Sequence, residues 1–321
     1  MREISLCEFE NLKIGNATDE KNATGVTAIV FPSGAPCGLD IRGGGPASRE
    51  THLLNPLSAA DKIHAVVLGG GSAFGLDCAG GVMEYLEGMD IGFDTGFAKV
   101  PLVCTSCLYD LCVGSASVRP GKEMGKAAAQ AAFEGGFCTG NAGAGTGATV
   151  GKLGGTEFMM KSGLGAYAIE NDGLKVGAVV AVNALGDVYE NGRIIAGMLN
   201  KTKDAFANSN AAMTGTTADR GNLFVSNTTI GAVFTNARFD KAQLNKIAAM
   251  AGNAYARAIR PVNTTADGDS IYAASLGGVE ADINAIGTLC SDCMEQAIIN
   301  AVKSAESAYG LKCAKDMEGL L

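Results

Sequence analysis

The stretch LFVSNTTIGAVFTNARFD, residues 223–240, decides how the rest of the chain is read. From Thr228 onward TTIGAVFTNA is a run of β-branched and small apolar residues, the composition of a buried strand. A hydroxyl residue at the start of a strand is ordinary, and Asn-Thr-Thr is an easy turn before one. The surroundings set this one apart. It follows a polar loop rich in Gly and Asn, and the chain offers only His52 and His64 to a histidine-based triad. A threonine hydroxyl is a weak nucleophile without a base beside it. One solution is to cut the chain before the threonine, so that its own α-amine becomes that base. An α-amine with a pKa near ~8 suits work at neutral pH. The Asn227–Thr228 bond is therefore a candidate cleavage site and Thr228 a candidate nucleophile.

The 321 residues are 47% hydrophobic and 18% charged, enough for a large core in one big domain or two small ones. A net charge of −8 without a basic stripe argues against a nucleic-acid partner. The N-terminus, MREISLCEFENLKIG, has no apolar signal region, and no apolar run reaches a membrane span, so the chain reads as cytoplasmic with no membrane partner. Cys104/Cys107 and Cys290/Cys293 form two CxxC pairs far apart in sequence, in segments that read as strand and helix. They are not expected to bind metal, and the ten cysteines read as reduced, core-packed thiols.

Outward from Thr228, the pattern predicts a strand TGVTAIVFP ending at Pro32, a short strand in 37–44, and a buried strand HAVVLGG. Helical spacing runs from Phe74 to Leu86 with Gly88 as a stop. Residues 100–113 read as a strand or strand pair, and an Ala-rich helix ends at Gly135-Gly136. After a glycine-rich loop at 140–155 come three strands, with turns at Asn171-Asp172-Gly173 and near Gly186-Asp187. Residues 198–222 have no sustained period and read as an exposed, mobile linker. Beyond Thr228 follow a helix from Lys241 to Ile259 capped by Asp240, a strand DSIYAASLG, and a helix from Thr288 to about Ser307. This order suggests an α+β fold, two sheets face to face with helices outside: an αββα sandwich.

Several residues could carry chemistry. Asp267 and Asp269 flank Gly268 on a tight turn before a strand; they are either a solvated turn or a pair that holds an ammonium and raises one pKa. Asn183 interrupts the apolar strand VVAVNALG, where a buried amide needs hydrogen bonds and could serve an oxyanion. Lys152 reads equally as a surface lysine or a site residue. Tyr109, in CLYDLC, reads as a core aromatic or a catalytic tyrosine. The glycine runs 68–77 and 143–152 match neither a dinucleotide nor a P-loop spacing, and close backbone approach is the commoner use of such runs.

Together and in this order, VTAIVFPSGAPCGLDIRGGGPASRETHLLNP, LGGGSAFGLD, LYDL, GNAGAGTGATVGK, VVAVNALGDV, NTTIGAVFTNA and RAIRPVNTTADGDSIYAAS resemble the P1 peptidase family. These are the L-aminopeptidase/D-esterase type N-terminal-nucleophile hydrolases, which include β-peptidyl aminopeptidases and the 6-aminohexanoate (nylon) oligomer hydrolase. The resemblance covers nearly the whole chain. It implies one hydrolase domain, 1–321, self-cleaved into an α chain of 1–227 and a β chain of 228–321. It also implies no cofactor, no metal, and assembly as a homo-oligomer, a tetramer of αβ units.

By the same resemblance Thr228 matches the nucleophile, Asn183 an oxyanion residue, Lys152 a site lysine and Tyr109 a site tyrosine. Asp267 and Asp269 match the acidic pair of the nylon-oligomer branch; the aminopeptidase branch tends to a serine nucleophile and a Ser-x-Glu pair. The chain leans to the threonine branch. The implied activity is cleavage of amide bonds in small peptides, aminoacyl amides or 6-aminohexanoate-type oligomers through an acyl-enzyme on Thr228. The alternatives are an acetyltransferase of the ornithine acetyltransferase type, or an unprocessed non-enzymatic homologue.

Overall fold

Strands with apolar side chains on both faces need a covering layer on each side. In the computed structural model, which describes residues 1–215 and 227–318, helices cover one face of each of two sheets. The first sheet has six strands in the order Arg2–Glu3, Leu164–Asn171, Leu174–Asn183, Thr228–Ala237, Ser270–Val279 and Cys37–Ile41. The second has five, in the order Lys13–Asp19, Thr24–Ala35, Ile63–Gly69, Val103–Cys107 and Ala47–Arg49. The architecture is α+β.

Alternation along each strand assigns its two faces. Ile230, Ala232 and Phe234 share a buried cluster with Ile29, Phe31, Val66 and Leu68 of the five-stranded sheet, and the rings of Phe31 and Phe234 meet edge-on. The opposite residues of the six-stranded sheet, among them Val176, Val180 and Val233, pack on the helices Lys241–Ala251, Asn253–Ala258 and Ile283–Lys303. The other face of the five-stranded sheet, with Val26, Ala28 and Val67, packs on Cys78–Gly88 and Lys122–Glu134.

Glycines let these layers come close. A Cβ at Gly165 would lie 2.0 Å from the Ala297 carbonyl oxygen, and one at Gly38 would lie 2.2 Å from the Asn245 nitrogen. The helices thus rest on bare strand backbone, which is a packing use of glycine.

Several boundaries differ from expectation. The first long strand passes through Pro32 to Ala35, with its register shifted between Val30 and Ala35, where a residue lacking an N–H leaves the ladder. Within 100–113 the main strand is Val103–Cys107, and Val100 ends a separate two-residue strand, Lys99–Val100. The third of the three strands expected after the glycine-rich loop is a hairpin, Asp187–Glu190 with Arg193–Ala196, turning at Asn191 and Gly192, both at positive φ. The helix expected over Lys241 to Ile259 is two, broken at Gly252, where Arg42 and Asp40 close in on the missing side chain. The last helix begins earlier than expected, at Ile283. Asp282 caps it, and Gly287 continues it under Met250.

The segment 198–222 was expected to be an exposed linker. Its described part instead holds a helix, Ser209–Thr214, and buries Met198, Leu199 and Ser209. Residues 216–222 lie outside the described residues. Asp187 causes the difference: its carboxylate accepts from Met198 N (2.7 Å), Ser209 N (2.6 Å) and Ser209 Oγ (2.6 Å). Cys104 and Cys107 lie on a strand and Cys290 and Cys293 on a helix, all buried, whereas Cys7 and Cys138 are exposed and so are not core-packed. Among the described residues no helix is long and apolar enough to cross a membrane.

Candidate active site

Strand pairing brings the distant candidates to one end of the six-stranded sheet. Leu174–Asn183 runs antiparallel to Thr228–Ala237 in a register that sets Asn183 opposite Thr228. Ser270–Val279 runs parallel on the other side, with Ser270 beside Ile230, so the turn carrying Asp267 and Asp269 falls next to the start of the Thr228 strand. Asn227 forms a single parallel bridge to Asp267. Its carbonyl oxygen accepts from Gly268 N at 3.1 Å and also from the hydroxyl of Thr228. Both residues at this bond are buried.

The acid pair is built into the same turn. Asp269 accepts Thr229 N at 2.6 Å on one oxygen and Asn263 N at 3.0 Å on the other. Asp267 accepts Thr264 N at 2.8 Å and Thr264 Oγ1 at 2.6 Å, both on Oδ2. Its Oδ1 is buried without a hydrogen bond of good geometry, although the nearby Leu185 amide helps restrain the carboxyl's pKa. Asn227 Oδ1 and Thr229 Oγ1 are buried without partners as well. Burial, then the neighbouring charge of Asp267, pushes Asp269 up to about 8, and burial also raises Asp267. The solvated-turn reading of this pair is thereby excluded.

Asn183 is fully buried, and among the described residues its carboxamide meets Thr149, Lys152 and Tyr109. Oδ1 accepts from Thr149 N (3.0 Å) and Lys152 Nζ (2.7 Å), while Nδ2 donates to the Tyr109 carbonyl (2.9 Å). Lys152 also donates to the Asn183 carbonyl (3.0 Å). It is no surface lysine: burial lowers its pKa to about 7, against the opposing pull of Cys112, Asp267, Asp110 and Asp269. Tyr109 is half-buried, and its backbone carbonyl is the group that meets Asn183. All six candidates therefore belong to one neighbourhood.

The buried charges not singled out in the sequence include Asp110 and Lys161. Asp110 accepts Thr24 Oγ1 and Gly71 N, each at 2.7 Å, and burial raises its pKa. An acid in the apolar run CLYDLC, next to Tyr109, was the available signal. Lys161 is lowered to about 7 by burial, and its ammonium lies among the carbonyls of Gly145 (2.9 Å), Ala148 (3.2 Å) and Ser162. No local signal separates it from a surface lysine. The glycine runs serve close approach: a Cβ at Gly70 would lie 1.9 Å from Asp110 Oδ2, and one at Gly145 would lie 2.1 Å from Leu164 N. Among the described residues no cluster of three His, Cys, Asp or Glu could hold a metal ion. What the arrangement offers is acyl chemistry: a hydroxyl against a carbonyl, a backbone donor on that carbonyl, and titratable groups poised near neutrality.

The family model described as peptidase family S58 matches residues 5–315. An uncharacterized aminopeptidase from Mycobacterium leprae is 37% identical over 315 residues, covering 90% of this chain and 85% of the relative. A 6-aminohexanoate-oligomer endohydrolase from Kocuria sp. (strain KY2) is 30% identical over 331 residues, covering 94% of this chain and 87% of the relative. Among solved structures, the L-aminopeptidase D-Ala-esterase/amidase of Ochrobactrum anthropi, described as a variant of the Ntn hydrolase fold, superposes with a TM-score of 0.67 at 17% identity, covering 97% of this chain and 91% of that one. The PH0078 protein of Pyrococcus horikoshii gives 0.68 at 20% identity, with 94% and 86% covered. These two likenesses concern the fold.

Proposed function

This chain belongs to peptidase family S58 and is a hydrolase of amide bonds, and from that premise we propose that it is a self-processing N-terminal-threonine amidohydrolase. The observation that carries the reading is the contact at the candidate bond, where the Thr228 hydroxyl engages the carbonyl of Asn227. In the first reaction Thr228 Oγ1 bonds to that carbonyl carbon. The C–N bond then breaks, with the hydroxyl proton carried to the leaving nitrogen. Water hydrolyses the ester to the Asn227 carboxylate and a free hydroxyl. The products are an α chain of 1–227 and a β chain of 228–321, held together in αββα layers.

In the second reaction the α-amine of Thr228 takes the hydroxyl proton and the hydroxyl attacks a substrate amide. Asp267 and Asp269 hold the amine. The Asp267 Oδ1, which lacks a good partner while the bond is whole, suits that ammonium. Lys152, lowered to about 7, tunes the charge beside Asn183. Asn183 and backbone N–H groups serve the oxyanion. The substrate class is small peptides, aminoacyl amides or 6-aminohexanoate-type oligomers, and the working unit is a homo-oligomer of αβ pairs.

Intact mass of the purified protein, with N-terminal sequencing of any smaller chain, tests this directly. Two chains are expected, the smaller beginning Thr-Thr-Ile-Gly. Thr228→Ala is expected to leave one uncut chain without amidase activity, and retained activity in that variant removes the nucleophile from the proposal.

A further inference from the structure

We infer that the backbone N–H of Gly268 is an oxyanion donor for attack by Thr228, first on the Asn227 carbonyl and then on the substrate carbonyl that replaces it. This inference rests on the self-processing reading above. Attack moves the π pair of the carbonyl onto its oxygen, so the useful donor is one already aimed at that oxygen. Gly268 N donates to Asn227 O at 3.1 Å, and Asn227 O is also the oxygen that the Thr228 hydroxyl engages. The amide of Asn183, on the neighbouring strand, also donates to the Tyr109 carbonyl. A main-chain donor thus already lies on the Asn227 carbonyl.

The turn keeps that N–H in place. Asp267 is tied to Thr264 through Oδ2, and its carbonyl accepts Gly45 N at 2.9 Å. Asp269 is tied to Thr229 and Asn263 through its carboxylate, and its carbonyl accepts Arg42 N at 3.1 Å. Each carboxylate thus also braces the donor that lies between them. The residue must be small: a Cβ at Gly268 would come within 2.7 Å of Thr228 Oγ1 and 2.8 Å of Gly45 O. The space above Gly268 belongs to the hydroxyl.

One hydroxyl performs both attacks, so the substrate carbonyl must reach the place that Asn227 occupies. Asn227 sits as a parallel bridge along residues 266–268, with Nδ2 3.4 Å from the Ala266 carbonyl. The acyl residue of a substrate then lies extended along this edge, with its carbonyl oxygen on Gly268 N and an N–H donor facing Ala266 O.

The test replaces the Gly268 amide by an ester. The full chain is made by cell-free translation with glycolate at position 268, which exchanges N–H for O and keeps the backbone shape. Processing is followed by intact mass beside the unmodified chain. The expected result is cleavage slowed roughly 100- to 1,000-fold, the usual effect of losing one oxyanion donor. A rate within about threefold of the unmodified chain overturns the inference and leaves the self-processing reading standing. An unmodified chain that stays whole overturns both.

A second measurement does not depend on folding of the ester. The processed wild-type enzyme is labelled with ¹⁵N-glycine and treated with a peptide boronate, which forms a tetrahedral adduct on a hydroxyl nucleophile. The Gly268 amide proton is expected to move downfield while that of the exposed-turn Gly173 stays. An unmoved Gly268 resonance in the adduct overturns the inference.

Discussion

Lys152→Met replaces a buried ammonium by an apolar chain of similar length, and its effect on stability should depend on pH. Lys152 is 6% exposed, and burial lowers its pKa from 10.5 to about 7. Between those values the unfolded chain binds a proton that the folded chain has released, so stability rises with pH across that window. The slope approaches about 1.4 kcal/mol per pH unit for a single group. From pH 7.5 to 9.5 the parent should gain about 2.5 kcal/mol relative to the methionine variant. Lys161, lowered to about 7 in the same way, is present in both proteins and cancels in the difference. The assay is urea unfolding of both proteins in a Thr228→Ala background, at pH 7.5, 8.5 and 9.5. A difference that stays flat across this range would refute the reasoning. Lys152 would then remain an ammonium in the fold, its charge met by Asp110, Asp267 and Asp269, and it would act in the site as a cation.

Asp269→Asn tests the acid pair as a brace. Asparagine offers one acceptor where Thr229 N and Asn263 N use two, and one buried N–H left unsatisfied costs about 1–3 kcal/mol. Because the folded pKa of Asp269 is raised from 3.8 to about 8, its favourable proton binding is lost as pH rises through that window. The variant's deficit in chemical unfolding should therefore shrink between pH 5 and 8, and a deficit that grows would contradict the raised pKa. Gly165→Ala tests the helix-on-strand contact: its Cβ would lie 2.0 Å from Ala297 O and 2.5 Å from Ala301 N. Overpacking of this kind costs roughly 1–3 kcal/mol, so a melting temperature equal to that of the parent would show that the helix does not rest on that strand.

Most strands were legible because their residue types leave few alternatives. Runs such as TAIVF, VGAVVAV and TTIGAVF are too apolar and too β-branched for a surface segment, and two sheets buried on both faces follow from several of them. The helix start at Asp240 was legible for a local reason, because a cap acts within its own turn. The helix over Lys241 to Ile259 was misread where the local signal met a distant one. Gly252 could have passed as a tolerated helical glycine, and the break there goes with Arg42 and Asp40, more than 200 residues earlier. Residues 198–215 looked like a linker because their composition is polar. Asp187, on another element, ties them down.

By itself the sequence determined which residue types were available for chemistry: a threonine heading a buried strand, an acid pair on a turn, an amide within an apolar run, and almost no histidine. Those are properties of short segments, set by local propensity and by the chemical scarcity of alternatives. Only the tertiary structure decided what meets what. Strand register across 45 residues put Asn183 opposite Thr228, and a parallel neighbour put Gly268 on the Asn227 carbonyl. Burial then turned Lys152, Lys161, Asp110 and Asp269 from ordinary ions into groups with displaced pKa values. Register and desolvation depend on partners far along the chain, and a reading of local pattern has no access to them.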